Sequence, residues 1–120
     1  YGAVDIALDP FPFNGATTTF QALWMGVPVV SLAGQPFISR MTGSILHQTG
    51  LGDLVADTPA AYVDCARTLA QDVERLRTLR SGLRDRVASS LLCDAPAYAR
   101  SLETAYKDMW QKWSAGAAAD

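Results

Sequence analysis

Val4-Asp-Ile-Ala-Leu-Asp9 is a short apolar run, and Pro10-Phe-Pro-Phe-Asn-Gly-Ala-Thr-Thr-Thr19 follows it directly. The run mixes apolar and β-branched residues as a strand does, and the two prolines cannot continue a regular element. After the three threonines, apolar residues recur at helical spacing as far as Trp24, before a glycine and a proline. We therefore predict a strand over residues 4–8, a tight turn, and a helix from Thr17 to Met25.

A second buried strand follows. Val27-Pro-Val-Val-Ser-Leu32 has the unbroken apolar character of a parallel strand that is covered on both faces. Ile38 to Ile45 has helical spacing, and Leu54-Val-Ala56 fits a short third strand. This alternation predicts an α/β fold over residues 1–57, in which Val4–Leu8 pairs in parallel with Val29–Leu32.

The second half of the chain, residues 58–114, has only helical patterns. Thr58 is placed to cap a helix with Pro59 in its first turn, and Asp72 is placed to cap a new helix and split the segment. A last helix begins near Asp94, and its aromatic face, which includes Trp110 and Trp113, is expected to pack against other residues. Residues 115–120 are expected to be a frayed tail.

The composition limits the partners. The chain has 120 residues, is 49% hydrophobic and carries a formal net charge of −2, which fits one globular domain and offers no excess of positive charge for nucleic acid. Its apolar runs are too short to cross a bilayer, so we expect no membrane contact and a cytoplasmic location. Because the chain begins at Tyr1 and enters a strand at once, we expect a piece of a longer protein.

The turn before the first helix is the candidate binding site. A glycine-containing turn between a parallel strand and a helix presents unpaired N–H groups at the positive end of the helix dipole, where a phosphate binds. Thr17, Thr18 and Thr19 add hydroxyl donors at that end. The alternative is that these threonines only cap the helix. Neither the P-loop spacing nor the GxGxxG pattern is present, so both interpretations remain open.

The other reactive residues predict no catalytic centre. Asp5 and Asp9 share one face of the first strand, where a carboxylate near the strand end is expected to order the following loop. His47, the single histidine, is expected to interact at the end of its helix, and one histidine cannot supply a hydrolase triad. Cys65 and Cys93 lie outside any paired metal-ligand or disulfide pattern, so we predict no metal site.

An ordered series of motifs resembles a known family. The chain is similar to the carboxy-terminal catalytic region of the O-linked N-acetylglucosamine transferases and of their SPINDLY-type relatives, which usually carry tetratricopeptide repeats. The residues that carry the resemblance are Val4 to Gly15, Thr17-Thr-Thr19, Ala22-Leu-Trp-Met-Gly-Val-Pro-Val-Val30, Ser39-Arg40, Gly50-Leu-Gly-Asp-Leu-Val-Ala56, Leu79-Arg-Ser-Gly-Leu-Arg-Asp85, Cys93-Asp-Ala-Pro96 and Leu102 to Trp113.

The resemblance implies part of an inverting, metal-independent glycosyltransferase of the B type, with a partial Rossmann-like sheet followed by carboxy-terminal helices. Such enzymes need no cofactor and transfer N-acetylglucosamine or fucose from a uridine or guanosine diphosphate sugar to Ser or Thr of an acceptor protein. The catalytic residues would lie before Tyr1, in an amino-terminal catalytic half, so the isolated chain is expected to be inactive. The implied donor-diphosphate site comprises Asn14, Gly15, Ala16, Thr17, Thr18 and Thr19.

Two residues depart from the animal members of that family. Ala16 stands where they have a histidine that binds the diphosphate. Gln21 stands where they have an acidic residue that accepts from the ribose hydroxyls, and an amide accepts through only one oxygen. The difference at Gln21 keeps open the alternative of a non-catalytic binding or scaffold relative. A separate alternative is a small free-standing response-regulator-like domain, although the chain lacks the clustered acidic residues of such a domain.

Overall fold

In the computed structural model, which describes residues 1–116, three parallel strands form the sheet in the order β1-β2-β3. Ala7 lies opposite Val29 between the first two strands, and Ser31 lies opposite Val55 between the last two. The predicted α/β fold and the parallel pairing of the first two strands are therefore confirmed. The strand bounds are β1 Ala7–Leu8, β2 Val29–Leu32 and β3 Val55–Ala56.

The first strand is shorter than predicted. It was expected over residues 4–8, but only Ala7 and Leu8 belong to it. The Ala7 N–H donates to the carbonyl of Pro28 at 2.9 Å, and proline has no N–H with which to continue the ladder. Val4 instead closes a turn by donating its N–H to the Tyr1 carbonyl at 3.2 Å.

Five α-helices connect and follow the strands within residues 1–116. The predicted helix after the turn is present, although it ends one residue early, at Trp24. The helical stretch after β2 divides into a short 3-10 turn at Phe37–Ser39 and a separate α-helix. The helix bounds are α1 Thr17–Trp24, α2 Met41–Gln48, α3 Pro59–Gln71, α4 Val73–Ala88 and α5 Ala95–Ser114.

Helix caps divide the second half of the chain as the sequence predicts. The Thr58 hydroxyl accepts from the Ala61 N–H at 3.2 Å at the start of α3. Asp72 accepts from the Arg75 N–H at 2.9 Å and separates α3 from α4. Asp94 caps α5 in the same way. The predicted frayed tail begins with Ala115 and Gly116, and its residues 117–120 lie outside the described part of the chain.

The core surrounds β2. Val29, Val30 and Ser31 are all buried, and since successive strand residues point to opposite faces, both faces of β2 are covered. Helices α1, α2 and α3 pack against this strand, and α4 packs against α1 and α3. Within the described residues, no helix combines the length and the apolar character needed to cross a membrane.

Helix α4 also holds the start of the chain. A Cβ on Gly26 would lie 2.5 Å from the Arg80 carbonyl oxygen, so a glycine at positive φ is required where α1 ends against α4. The Arg80 guanidinium donates to the carbonyl of Val4 at 2.9 Å, and Arg84 lies over the ring of Trp24. These two arginines therefore join α4 to the start of the chain and to the end of α1.

Candidate functional site

The turn between β1 and α1 lies at the carboxyl end of the parallel sheet. Residues 9–16 leave the end of β1 and lead directly into the first turn of α1. The Asp9 N–H still belongs to the ladder, donating to the Val30 carbonyl at 2.9 Å. In open α/β sheets, ligands bind in the crevice outside the carboxyl ends of the strands. The turn is therefore in the position where such a fold presents a ligand site.

Gly15 is fixed from two sides. Its N–H donates to Asp9 Oδ1 at 2.8 Å, and its carbonyl oxygen accepts from the Thr42 hydroxyl at 2.8 Å. The same Thr42 hydroxyl lies 2.9 Å from the hydroxyl of Thr19. A Cβ on Gly15 would lie 2.6 Å from Thr18 Oγ1. This close approach requires glycine and aligns the turn with the helix.

Among the described residues, no side chain caps the amino terminus of α1. Ala16 occupies the cap position, and its methyl group cannot accept a hydrogen bond. Thr17 and Thr18 are exposed, and Thr19 is buried against Thr42. The alternative interpretation, that these threonines only cap the helix, therefore does not agree with the hydrogen bonds of α1. The N–H groups of the first turn and two hydroxyls are left for water or for a ligand.

Asn14 is buried beside this turn, with 1% of its surface exposed. Its Nδ2 donates to the Pro10 carbonyl at 3.2 Å. Its Oδ1 has no hydrogen-bond partner among the residues that the structure describes. The unpaired atom is an acceptor, and an acceptor does not attract phosphate oxygens. Asn14 thus shapes the turn through one of the two N–H donors of its amide, and it lies in the lining of the cavity over the turn.

Two open cavities meet at the start of α1. One, of about 450 Å³, lies over the turn and is lined by Pro10, Phe13, Met41 and residues 14–18. The other is a groove of about 780 Å³ along the exposed side of α1. Ala16 and Thr17 line both cavities. The remaining groove residues are mostly apolar or aromatic: Tyr1, Phe20, Gln21, Trp24, Met25 and Ile45.

The other candidate residues lie apart from the turn. His47 Nδ1 lies 2.7 Å from the Gly43 carbonyl oxygen one turn earlier in α2, and not at a carbonyl of the helix end. Asp5 is exposed ahead of β1 and does not join Asp9 in a site. Cys65 and Cys93 are free thiols. Burial raises the pKa of the Cys65 thiol, and the charge of Asp53 adds to that rise, against a lowering by Arg75. Within residues 1–116, no group of His, Cys, Asp and Glu side chains is arranged to hold a metal.

Sequence reasoning missed the residues that support the turn. Ser31 donates to Asp9 Oδ2 at 2.7 Å, and the Tyr62 hydroxyl donates to the Asp9 carbonyl at 3.0 Å. Burial, and then the charge of Asp9, raises the pKa of Tyr62. These partners are distant along the chain from the residues they hold, so no local pattern marks them. The predicted role of Asp9 as an acceptor that orders the loop is confirmed.

Comparisons with known proteins agree on one family. The model of glycosyl transferase family 41 matches residues 2–102. A probable UDP-N-acetylglucosamine–peptide N-acetylglucosaminyltransferase SPINDLY of Arabidopsis thaliana is 45% identical over 97% of this chain. A UDP-N-acetylglucosamine–peptide N-acetylglucosaminyltransferase of Caenorhabditis elegans is 33% identical over 93% of it. The chain spans 13% and 10% of the lengths of these relatives.

A solved structure has the same fold. It is a lysine-to-methionine mutant of the Thermobaculum terrenum O-GlcNAc transferase, with a TM-score of 0.85 and 42% sequence identity. The superposition covers 95% of this chain and 22% of the solved chain. The match therefore extends over the sheet and its helices.

Proposed function

Since this chain belongs to glycosyl transferase family 41, we propose that it is part of a nucleotide-sugar-binding domain, in which the turn before α1 holds the diphosphate of the donor. The complete protein is then an inverting protein O-glycosyltransferase that modifies Ser or Thr hydroxyls, with its amino-terminal catalytic half and tetratricopeptide repeats outside this chain. The named relatives act with UDP-N-acetylglucosamine by their descriptions, so we propose this donor first. A guanosine donor that carries fucose is the second.

The uncapped amino terminus of α1 is the observation that carries this proposal. Its free N–H groups lie at the positive end of the helix dipole, beside the exposed hydroxyls of Thr17 and Thr18. A negative charge at such an end is stabilised by typically about 0.3–1 kcal/mol, and by up to about 2 kcal/mol where it is partly buried. Because a diphosphate becomes the leaving group in glycosyl transfer, the same groups offset the charge that develops on it.

The residues of the turn have two different roles, phosphate binding and support of the backbone. The amides of Ala16 to Thr19 and the hydroxyls of Thr17 and Thr18 bind the phosphate oxygens. Asn14 and Gly15 shape the turn, since the Gly15 N–H donates to Asp9 and one of the two Asn14 Nδ2–H groups donates to the Pro10 carbonyl. The chemistry requires no cofactor, and the catalytic groups that orient the acceptor come from outside this chain.

The groove beside the turn suits the nucleoside. It adjoins the turn through Ala16 and Thr17, and its lining includes the aromatic rings of Phe20 and Trp24. Gln21 is exposed in this groove, one turn into α1, where its amide oxygen accepts from the ribose hydroxyls. Small-molecule sites are commonly lined by apolar and aromatic side chains, with a few polar groups that orient the ligand. A groove of this kind suits a base and its ribose.

The test is a titration with uridine diphosphate and guanosine diphosphate of a longer protein that contains this chain, followed by an assay for sugar transfer to protein. We expect tight binding of one of the two nucleotides and transfer from its sugar. Binding of neither nucleotide would favour the non-catalytic scaffold relative and contradict the proposal.

Substitution of Gln21 tests the ribose contact. Gln21→Glu introduces a carboxylate that accepts through two oxygens, so we expect the preferred nucleotide to bind about 1 kcal/mol more tightly, the margin of a charge-assisted hydrogen bond over a neutral one. Gln111→Glu, on exposed α5, is the matched control and should leave the dissociation constant unchanged. Equal dissociation constants for both variants and the wild type would reject the ribose role.

A further inference from the structure

Asp9 is a buried carboxylate that forms no ion pair with the residues that the structure describes. It is 4% exposed, and its two oxygens accept from neutral donors, the Gly15 N–H at 2.8 Å and the Ser31 hydroxyl at 2.7 Å. The ion pairs formed among residues 1–116 involve other carboxylates, those of Asp53, Asp64 and Glu74. A full negative charge therefore lies under the turn with two hydrogen bonds as its compensation.

This charge is costly for the fold and opposes the ligand. A buried carboxylate loses its hydration, and neutral hydrogen bonds return only part of that free energy. The turn above it presents N–H groups for a diphosphate, which is also negative, and like charges at close range repel. An asparagine would make two hydrogen bonds with the same partners at lower cost. The stability of the turn alone therefore does not account for a carboxylate at this position.

We propose that Asp9 is a positioning residue that both orders the diphosphate turn and limits how tightly the turn holds its ligand. Through Gly15 the carboxylate fixes the turn so that the amides of α1 converge on the phosphates. Through its charge it lowers the affinity of the turn for the nucleoside diphosphate. The lower affinity favours release of this product after the sugar has been transferred. The inference rests on the function proposed above, because it assumes a diphosphate at this turn.

The two effects can be separated by two substitutions. In Asp9→Asn, Oδ1 still accepts from the Gly15 N–H, and Nδ2 donates to the Ser31 oxygen once that hydroxyl rotates, so the turn is kept and the charge is lost. In Asp9→Ala, both contacts are lost with the charge. If Asp9 only orders the turn, both variants should bind the ligand no more tightly than wild type does. The combined role predicts that they change affinity in opposite directions.

The experiment measures the dissociation constant of the preferred nucleotide, uridine or guanosine diphosphate, for a longer protein that contains this chain and for its variants, by isothermal titration calorimetry at low and high salt. We expect Asp9→Asn to bind about threefold more tightly or better, and Asp9→Ala to bind about tenfold more weakly because the turn is no longer held. The advantage of Asp9→Asn should shrink with salt, since it comes from removed repulsion. Asp108→Asn, an equal charge change on exposed α5, should have no effect.

The outcomes separate the two claims. If the wild-type protein binds neither uridine diphosphate nor guanosine diphosphate, the proposed function fails and this inference falls with it. If wild type binds and Asp9→Asn binds equally or more weakly, the charge effect is overturned and the proposed function stands. If Asp9→Ala binds as wild type does, the ordering effect is overturned. Should Asp9→Ala not fold, Thr42→Val, which releases the Gly15 carbonyl, replaces it with the same expected loss.

Discussion

At the scale of single residues, the site depends on Gly15 having no side chain. The hydroxyls of Thr18 and Thr19 come so near that an added Cβ would lie 2.6 and 2.8 Å from their oxygens. The Gly15 N–H and carbonyl are meanwhile held by Asp9 and Thr42. A substitution therefore displaces the threonines or breaks the two hydrogen bonds, and either change alters the start of α1.

Alanine at two glycines should have opposite effects. Gly15→Ala overpacks the turn, so we expect the free energy of unfolding to fall by about 1–3 kcal/mol, with weaker binding of uridine diphosphate. Gly82 lies in α4 with nothing within 4 Å of the added Cβ, so Gly82→Ala should stabilise the chain by about 0.5–1 kcal/mol. Urea unfolding of both variants measures this. Changes of the same sign would contradict the close packing at Gly15.

Tyr62 links the turn to the stability of the chain at alkaline pH. Burial and the charge of Asp9 raise the pKa of Tyr62 above its ordinary value of 10.0. The unfolded chain therefore releases this proton first, so the contribution of Tyr62 is complete below about pH 10 and is lost as the pH rises through the folded pKa.

Tyr62→Phe tests that link. The variant should lose about 1 kcal/mol at neutral pH, because the hydrogen bond to the Asp9 carbonyl is gone, and its stability should fall less steeply than that of wild type above pH 10. Tyr98→Phe removes an exposed phenol on α5 and serves as the control. Unfolding measured against pH checks both variants, and a Tyr62→Phe curve parallel to wild type would show that the phenol does not report on folding.

The residues of the site differ in how well the sequence predicts them. The roles of Asp9 as the acceptor and of Gly15 as the turn residue follow from the local pattern. A carboxylate at the end of a strand commonly accepts hydrogen bonds from the next loop, and a glycine there is typical of a tight turn. The roles of Ser31 and Thr42 do not follow from it, because the residues around them predict only a buried strand and a helix. Their roles arise when β2 and α2 are brought beside the turn, which no local spacing records.

At the scale of elements, the boundaries follow from hydrogen-bonding groups. The break between α3 and α4 was predictable because Asp72 provides a cap within an otherwise continuous helical pattern. The extent of β1 was not, because it depends on Pro28 of the neighbouring strand. The pairing partner of a strand decides its length, and the sequence of the strand alone does not contain that partner.

Helix α5 departs further from the sequence expectation. Its aromatic face was expected to pack, but Trp110 and Trp113 are 65% and 70% exposed in this chain and contact each other with ring centroids 5.1 Å apart. The helical spacing of apolar residues shows that one face is apolar. It does not show what covers that face, and within the described residues of this chain Trp110 and Trp113 do not pack in the core.

Two aspartate caps should therefore differ in their effect on stability. Asp72 caps α4, which packs on the core, so Asp72→Ala should lower the free energy of unfolding by about 1 kcal/mol. Asp94 caps α5, which has no buried residue among those described, so Asp94→Ala should fray that helix and leave the cooperative unfolding of the domain nearly unchanged. Urea unfolding together with helix content by circular dichroism distinguishes them. Equal losses of unfolding free energy would mean that α5 is part of the cooperative unit.

At the scale of the whole molecule, the proposed function makes this chain one side of a donor site. The sheet presents the turn at its carboxyl end, α1 adds its dipole and hydroxyls, and the groove beside α1 is open to solvent. Catalysis also requires the acceptor hydroxyl to be oriented against the anomeric carbon, and such orientation contributes up to about 7–11 kcal/mol of the barrier. We therefore expect these 120 residues alone to bind a nucleoside diphosphate weakly and to transfer no sugar.

The most direct measurement follows the backbone amides of the 120-residue chain by NMR as uridine diphosphate is added, with uridine as the control that lacks phosphate. We expect the diphosphate to shift the amides of Ala16 to Thr19, and this response to weaken with salt because the attraction comes from charge and dipole. Uridine, which lacks the phosphates, should leave the amides of Thr18 and Thr19 unchanged. Shifts centred on Cys65 or Trp113, with none at Ala16 to Thr19, would contradict a diphosphate site at the amino terminus of α1.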